Sequence, residues 1–177
     1  AEFDREKVLR SAMDAFISKG YSKTSMQDLK AATGLHPGSI YCAFENKRGL
    51  LVAALEHYRS ERSDEFVTLF DSQSTVMDGL DLYLQGVVEE CESAQIKHCL
   101  LQKALSELAD QDEEVENIIS TMLNEWQRRF TDKLSEAQLN KEIASDRDCE
   151  ALSQFLVMGI YGLRTLSYTN PEKGVLS

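Results

Sequence analysis

Residues 25–44, SMQDLKAATGLHPGSIYCAF, decide the fold of this chain. Ser25 followed three residues later by Asp28 is a capping-box pattern, which predicts that a short helix begins here. Gly34 ends that helix, and Pro37 suits the first position of the next one, because its missing N–H is no loss there. Two short helices joined by a tight turn that contains glycine match a helix-turn-helix.

The residues before and within this stretch complete a three-helix unit. Apolar residues with a period near 3.6 predict a helix from Asp4 to Lys19, which Gly20 ends. In the first helix of the stretch, helical spacing predicts that Met26, Leu29 and Ala32 face inward. In the last helix, Ile40 and Phe44 are four residues apart, so we expect them to share the buried face. The outer surface of that helix is then left to Gly38, Ser39, Tyr41 and Cys42.

Helical spacing continues through the rest of the chain, with no internal repeat and no strand pattern. Asn46 is predicted to cap a long helix, and further apolar stripes predict helices that begin near residues 76 and 100, within residues 110–116, and near residue 148. We therefore expect an all-α fold. A three-helix helix-turn-helix domain over residues 1–46 would precede a larger helical domain over residues 47–177.

Charge also divides the chain into two parts. The whole chain has 19 Lys and Arg against 30 Asp and Glu, a net charge of −11. Residues 1–50 carry eight basic and six acidic side chains, whereas residues 51–177 carry eleven and twenty-four. An acidic chain can still offer the local basic surface that phosphate contact needs. The asymmetry indicates two parts with different roles.

The cysteines and the hydropathy predict a cytoplasmic protein. Cys42, Cys91, Cys99 and Cys149 form no Cys-x-x-Cys pair, which favours reduced thiols over a disulfide framework. No apolar run is long enough to span a membrane, and the first residues are too polar for a signal peptide. The chain does not begin with Met, so we expect that its true N-terminus was trimmed or is missing here.

The last predicted helix is apolar on two faces. One face is formed by Leu152, Phe155, Leu156, Ile160 and Leu163, and the other by Val157, Met158, Tyr161 and Leu166. A surface helix of a monomer needs only one such stripe. Two stripes favour a helix that packs on its own chain and on a second copy. The alternative is a central core helix in a monomer.

The first fifty residues resemble a known family. The stretch 16–29, FISKGYSKTSMQDL, continues as 31–41, AATGLHPGSIY. The pattern is completed by Phe44, Lys47 and Leu50. More than ten positions are similar in type and spacing to the TetR/AcrR family of bacterial transcriptional regulators. Residues 99–101 and 107–109 resemble, more weakly, one class of the family's ligand-binding domains.

The chain departs from the family pattern at two places. The family often has His before the Phe that ends the third helix, where this chain has Ala43. It often has an acidic residue after the Lys that opens the fourth helix, where Arg48 and Gly49 follow Lys47. The first departure is expected to change a contact with DNA. The second is expected to leave the fourth helix less well capped.

The resemblance implies a homodimer that binds a double-stranded DNA operator with its third helix in the major groove. Small residues at Gly38 and Ser39 allow the backbone to approach DNA, and the family's counterpart of Tyr41 contacts phosphate. The starts of the second and fourth helices offer N–H groups that bind anions. The predicted DNA contacts are Thr24, Ser25, Gln27, Lys30, His36, Pro37, Gly38, Ser39, Tyr41, Cys42 and Lys47.

Several of these residues have a purely structural alternative. Ser25 is expected to be an N-cap in any case, with phosphate contact as an addition. Lys47 would otherwise be a solvated lysine, Tyr41 a packed ring, and His36 a residue of the surface turn. No residue of the third helix is a strong reader of bases, so the operator sequence stays open.

The resemblance also implies that the larger domain binds a small-molecule effector, which would release a repressor from its operator. The candidate lining residues are Tyr83, Met122, Trp126, Phe130, Phe155, Met158 and Tyr161. An ordinary core stripe is the alternative for each of them. If they line a pocket, its ligand is apolar or aromatic.

Two other kinds of function compete with this interpretation. Cys99 follows Lys97 and His98, whose charge would favour a thiolate, so a redox-sensing regulator is one alternative. A helical protein that binds another protein instead of DNA is the other. No catalytic motif and no ligand-spaced metal cluster is found, so we expect neither an enzyme nor a cofactor.

Overall fold

A computed structural model describes residues 3–92, 107, 112–167 and 169. These residues form helices and no strand, which confirms the all-α class. The helices are α1 (Arg5–Lys19), α2 (Met26–Thr33), α3 (Pro37–Phe44), α4 (Lys47–Asp71), α5 (Val76–Glu92), α6 (Glu113–Leu139) and α7 (Cys149–Ser167). Of the helix predicted to begin near residue 100, only Glu107 lies within the described residues.

Local signals in the sequence set the first helix ends. Asp4 caps α1 by accepting a hydrogen bond from the Lys7 N–H at 3.1 Å. Gly20 follows α1 with a positive φ of 81°, which a residue with a Cβ rarely adopts. Asn46 caps α4, since its side-chain oxygen accepts from the Gly49 N–H at 2.9 Å. These ends agree with the predicted ones.

The chain forms two compact units. The first contains the described residues within 1–62 and 97–121, and the second those within 63–96 and 122–177. Helices α4 and α6 contribute residues to both units. The division into a helix-turn-helix domain over residues 1–46 and an effector-binding and dimerisation domain over residues 47–177 stays a prediction.

The first unit is built around the helix-turn-helix. Helix α1 packs on α2, and α2 packs on α3. Leu29, Ile40 and Leu50 are completely buried, and Phe16 and Phe44 lie beside them in the core. The predicted inward positions are confirmed at Leu29, Ile40 and Phe44. Ala32, which helical spacing also predicts to face inward, is exposed instead.

The second unit has an aromatic core to which α4, α5, α6 and α7 all contribute, and α5 and α7 pack on each other. Its buried members are Phe66, Phe70, Val76, Leu80, Val87, Cys91, Phe130, Leu134, Ala137, Cys149 and Ile160. On α7, the predicted grouping of Phe155 with Ile160 is wrong. Phe155 is 69% exposed, because five residues of helix place it about 140° around the axis from the buried Ile160.

None of the described helices is both long enough and apolar enough to cross a membrane.

Candidate DNA-binding surface

A charged network fixes the start of α2. The Ser25 hydroxyl accepts from the Asp28 N–H at 3.1 Å, and the Ser25 N–H donates to the Asp28 carboxylate at 2.9 Å. The Lys19 ammonium reaches the same carboxylate at 2.6 Å. These contacts, the Lys19 one above all, hold the pKa of Asp28 well below its usual range. The predicted capping box is therefore present, and its carboxylate is charged at neutral pH.

The turn between α2 and α3 is short and left-handed at one residue. Gly34 has φ 73° and ψ 0°, and its N–H donates to the Lys30 carbonyl at 2.9 Å. The side chain of His36 then caps α3, because its Nδ1 accepts from the Gly38 N–H at 3.2 Å. Pro37 occupies the first turn, as predicted.

Helix α3 is anchored on one face and open on the other. Ile40 and Phe44 are buried, and the Arg5 guanidinium lies 4.9 Å from the centre of the Phe44 ring. The predicted outer residues of the helix, Gly38, Ser39, Tyr41 and Cys42, are exposed. A Cβ built on Gly38 would meet only the His36 Nδ1, at an ordinary 3.5 Å. Nothing among the described residues of the first unit therefore requires glycine at this position.

Two of the predicted DNA contacts are used inside the protein. Thr24 is 1% exposed, and its hydroxyl donates to the Gly20 carbonyl at 2.6 Å, so it does not reach the surface. The Lys47 ammonium donates to the carbonyls of Tyr21 and Thr24 at 2.8 and 3.0 Å. Both residues stabilise the turn between α1 and α2, because the carbonyls of that turn point at them.

The remaining predicted DNA contacts differ in their exposure and in whether other protein groups already bind their side chains. Gln27 and Lys30 are exposed on α2. Ser25, the N-cap before α2, is also exposed, but its hydroxyl is engaged in the capping box. The sequence reasoning missed Lys23, an exposed cation in the turn before α2. Neither Lys23 nor Lys30 has an acidic partner among the described residues. A basic residue just before a predicted anion-binding helix start is the signal that would have found Lys23.

Arg48 explains the second departure from the family pattern. Its guanidinium forms a bidentate pair with Asp112, one bond of which measures 2.7 Å, and also reaches Glu114 at 2.7 Å. The contact with Arg48 lowers the pKa of Asp112 to about 2. A Cβ on Gly49 would lie 2.0 Å from the Phe44 carbonyl, so the close approach requires glycine. The start of α4 is thus stabilised by these contacts, whereas the sequence predicted a less well capped start.

Known proteins match this arrangement over most of the chain. The family model described as bacterial regulatory proteins, tetR family, matches residues 8–54. The model described as tetracyclin repressor-like, C-terminal domain, matches residues 83–170. The protein belongs to the TetR family. It is a DNA-binding transcriptional regulator with an N-terminal helix-turn-helix and a helical C-terminal domain.

Individual TetR-family proteins are similar at low identity and high coverage. The HTH-type transcriptional repressor ComR of Escherichia coli is 28% identical over 91% of this chain and 78% of its own length. A cysteine mutant of the TetR-family regulator CifR, solved with 26-base-pair double-strand operator DNA, is 28% identical. The match covers 99% of this chain and 93% of the CifR chain, with a TM-score of 0.85. The reduced form of Escherichia coli NemR, 18% identical, shares the fold with a TM-score of 0.86, over 97% of this chain and 91% of that chain.

The predicted effector residues of this TetR-family chain do not all lie together. Tyr83 and Phe130 meet edge to face at 5.3 Å, and Trp126 donates to the Tyr83 hydroxyl at 3.0 Å. Tyr161 lies 5.9 Å from Trp126, ring centre to ring centre. Met122 is buried, whereas Phe155 and Met158 are exposed. The aromatic cluster of Tyr83, Trp126, Phe130 and Tyr161 is the part of the predicted effector site that the fold brings together.

The structure describes three of the four cysteines and does not test the redox alternative at Cys99. Cys99 lies outside the described residues. Cys91 and Cys149 are buried, and burial raises the pKa of the Cys91 thiol, which disfavours its thiolate. Of the described thiols, the one that is exposed is Cys42 on α3. No group of three or more His, Cys, Asp or Glu side chains within the described residues is placed to hold a metal ion.

Proposed function

We propose that this regulator is a homodimeric repressor which binds a near-palindromic operator and is released by a small-molecule effector. The observation that best supports DNA binding is the solvent-exposed face of α3. Ser39 and Tyr41 are exposed there, while Ile40 and Phe44 anchor the opposite face in the core. A recognition helix needs this combination, because its outer residues must enter a groove about 12 Å wide without losing the fold.

Each predicted contact has a stated role in this proposal. Ser39 would donate to a base edge or phosphate, and the Tyr41 hydroxyl to a phosphate. Lys30 and Lys23 would supply the cations that neutralise phosphates, because they are exposed and lack acidic partners among the described residues. Lys47 would act indirectly, by holding the turn before α2.

The exposed apolar side of α7 supports the homodimer. Phe155 is 69% exposed, Met158 65% and Leu166 45%. Large exposed apolar side chains that cluster on one helix are unusual for a monomer and mark an interaction surface. A second copy would cover them about a two-fold axis. Each subunit would then present α3 to one half-site, with half-sites about 34–36 Å apart or at a multiple of that spacing.

In this proposal, the small-molecule effector binds at the aromatic cluster. Four aromatic rings and a hydroxyl that accepts from an indole N–H suit an apolar or aromatic ligand with one polar group. Binding there would favour a different spacing of the two α3 helices and so lower operator affinity, which couples two sites. The names of relatives such as ComR, a repressor, support the sign of regulation proposed here.

Selection of binding sites from random duplex DNA with the purified protein tests this function. Recovery of an inverted repeat with the expected half-site spacing would support it. A direct repeat, a single half-site or no enrichment would contradict the dimeric repressor. Treating the bound complex with a mild oxidant separates the thiol alternative, in which oxidation alone releases the DNA.

A further inference from the structure

His36 is an unusual cap for the recognition helix. The residues that serve best as N-caps are Ser, Thr, Asp and Asn, which offer a side-chain oxygen to the first free N–H groups. Here the acceptor is the ring nitrogen Nδ1 of His36, which takes the Gly38 N–H at 3.2 Å. The backbone carbonyl of His36 accepts from Ser39 at 2.8 Å and from Ile40 at 3.2 Å. The residue is therefore fixed at the start of α3 by both its backbone and its ring.

That hydrogen bond decides which ring nitrogen carries the proton. An Nδ1 that accepts from a backbone N–H has no hydrogen of its own, so the neutral imidazole is protonated on Nε2. The Nε2–H group lies on the far side of the ring from the helix, and His36 is exposed. No described residue accepts a hydrogen bond from it. A serine would cap the helix equally well, but its hydroxyl lies close to the backbone and would place no donor where the ring holds Nε2–H.

His36 lies at the start of the helix that carries the proposed DNA surface. Ser39 and Tyr41 on α3 are exposed, and Gly38 carries no side chain that would shield the ring. An uncharged donor in this position matches the hydrogen-bond acceptors that DNA presents, which are phosphate oxygens and the N7, O6 and O4 atoms of base edges in the major groove.

We propose that His36 is both the cap of α3 and a neutral hydrogen-bond donor to the operator, with its tautomer set by the cap. This inference rests on the proposed DNA binding and adds to it a residue whose two ring nitrogens have separate roles. The acceptor on DNA is a phosphate oxygen or a base edge.

Three substitutions separate the two roles. His36→Ser keeps a capping oxygen but places its hydroxyl donor close to the backbone, away from the position of Nε2. His36→Asn keeps a capping oxygen and an N–H donor in a shorter side chain, and His36→Ala removes both. For each, we would measure the thermal midpoint Tm and the affinity for the selected operator at several salt concentrations. Nitrogen chemical shifts of the His36 ring in the free protein report the tautomer directly.

We expect His36→Ser to keep a Tm close to that of the wild type and to bind the operator about tenfold more weakly, which is the effect of one good hydrogen bond. Its slope of log affinity against log salt should equal that of the wild type, because a neutral donor releases no counterion. His36→Asn should recover part of the affinity, and His36→Ala should lose both stability and affinity. The ring shifts should show Nε2 protonated and Nδ1 free of hydrogen.

The possible outcomes are distinct. Wild-type affinity for His36→Ser, a smaller salt slope for that variant, or a protonated Nδ1 would each overturn the inference. Repeating the site selection with His36→Ser identifies the acceptor: a changed preference at one position of each half-site indicates a base edge, and uniformly weaker binding indicates a phosphate. If the wild-type protein bound no duplex, the proposed function would fail, and the donor role with it.

Discussion

The Lys47 ammonium lies 2.8 Å from the carbonyl oxygen of Tyr21 and 4.3 Å from the centre of the Tyr21 ring. A cation at the start of α4 thus fastens the turn that leads into α2. Because two of its three donors are already engaged with backbone carbonyls, we expect Lys47 to affect DNA binding through the placement of α2. Lys30, exposed on α2 itself, is the better candidate for direct contact with phosphate.

Lys47→Ala is expected to destabilise the protein by about 1–2 kcal/mol, because it removes charge-assisted hydrogen bonds and a cation–π contact. Its affinity for the operator should fall together with its Tm. Thermal unfolding followed by circular dichroism measures the first effect, and fluorescence anisotropy with labelled operator the second.

Lys30→Ala is the matched control for that experiment. It removes an exposed cation of the same type, so its Tm should stay near the wild-type value. The slope of log affinity against log salt should become shallower by about 0.9 for each phosphate that the variant no longer neutralises. An unchanged Tm in Lys47→Ala would show that the hydrogen bonds to Tyr21 and Thr24 contribute nothing.

Gly38→Ala should separate the demands of DNA from the demands of the fold. The added Cβ meets only an ordinary contact, and alanine is favoured over glycine in helices by up to about 1 kcal/mol. Stability should therefore hold or rise while operator affinity falls, since the methyl group prevents close approach to DNA. Gly34→Ala is the contrast: its φ of 73° strains any other residue, so Tm should fall. Unchanged operator affinity in Gly38→Ala would refute the close approach at this position.

Much of this fold can be predicted from local chemistry, whereas its long-range contacts cannot. Gly20, Ser25 and Pro37 act within one turn of helix, and their positions set the helix ends that the structure has. The bond between Arg48 and Asp112 joins residues 64 positions apart, which no local pattern encodes. The burial of Thr24 has a different origin: its hydroxyl donates to the Gly20 carbonyl within an irregular turn, a contact that helical periodicity does not predict.

Arg48 and Asp112 should prove energetically coupled. Replacing either residue with alanine is expected to lower Tm by about 2–4 °C, because each removes the same bidentate pair. In a double-mutant cycle the second replacement should then cost much less than the first. Fully additive losses would mean that the pair adds no stability.

The same pair predicts how stability depends on pH. The pKa of Asp112 falls from 3.8 to about 2 in the folded protein, so its carboxylate stabilises the fold at every pH above about 4. That contribution is lost as the pH falls from about 4 to about 2. Asp112→Asn should lower stability at neutral pH and make it less sensitive to acid in this window. Urea unfolding between pH 2 and pH 7 measures both, and parallel curves for the two proteins would contradict the pairing.

Phe155→Glu is expected to convert a dimer into monomers that stay folded, because the side chain is exposed within its own chain and would be buried against a second copy. Analytical ultracentrifugation gives the mass, and circular dichroism checks the fold. Val67→Glu, at another exposed apolar position on α4, should leave the mass unchanged. An unaltered dimer in Phe155→Glu would place the interface elsewhere.

The most direct test of the central claim is the affinity of the purified protein for a selected duplex and for a scrambled one, across a range of salt concentrations. If α3 reads an operator, the selected duplex should bind at least about a thousandfold more tightly than the scrambled one. Both affinities should fall steeply with salt, as phosphate neutralisation requires. Equal affinity for the two duplexes, or binding that is indifferent to salt, would contradict the assignment of this surface to operator recognition.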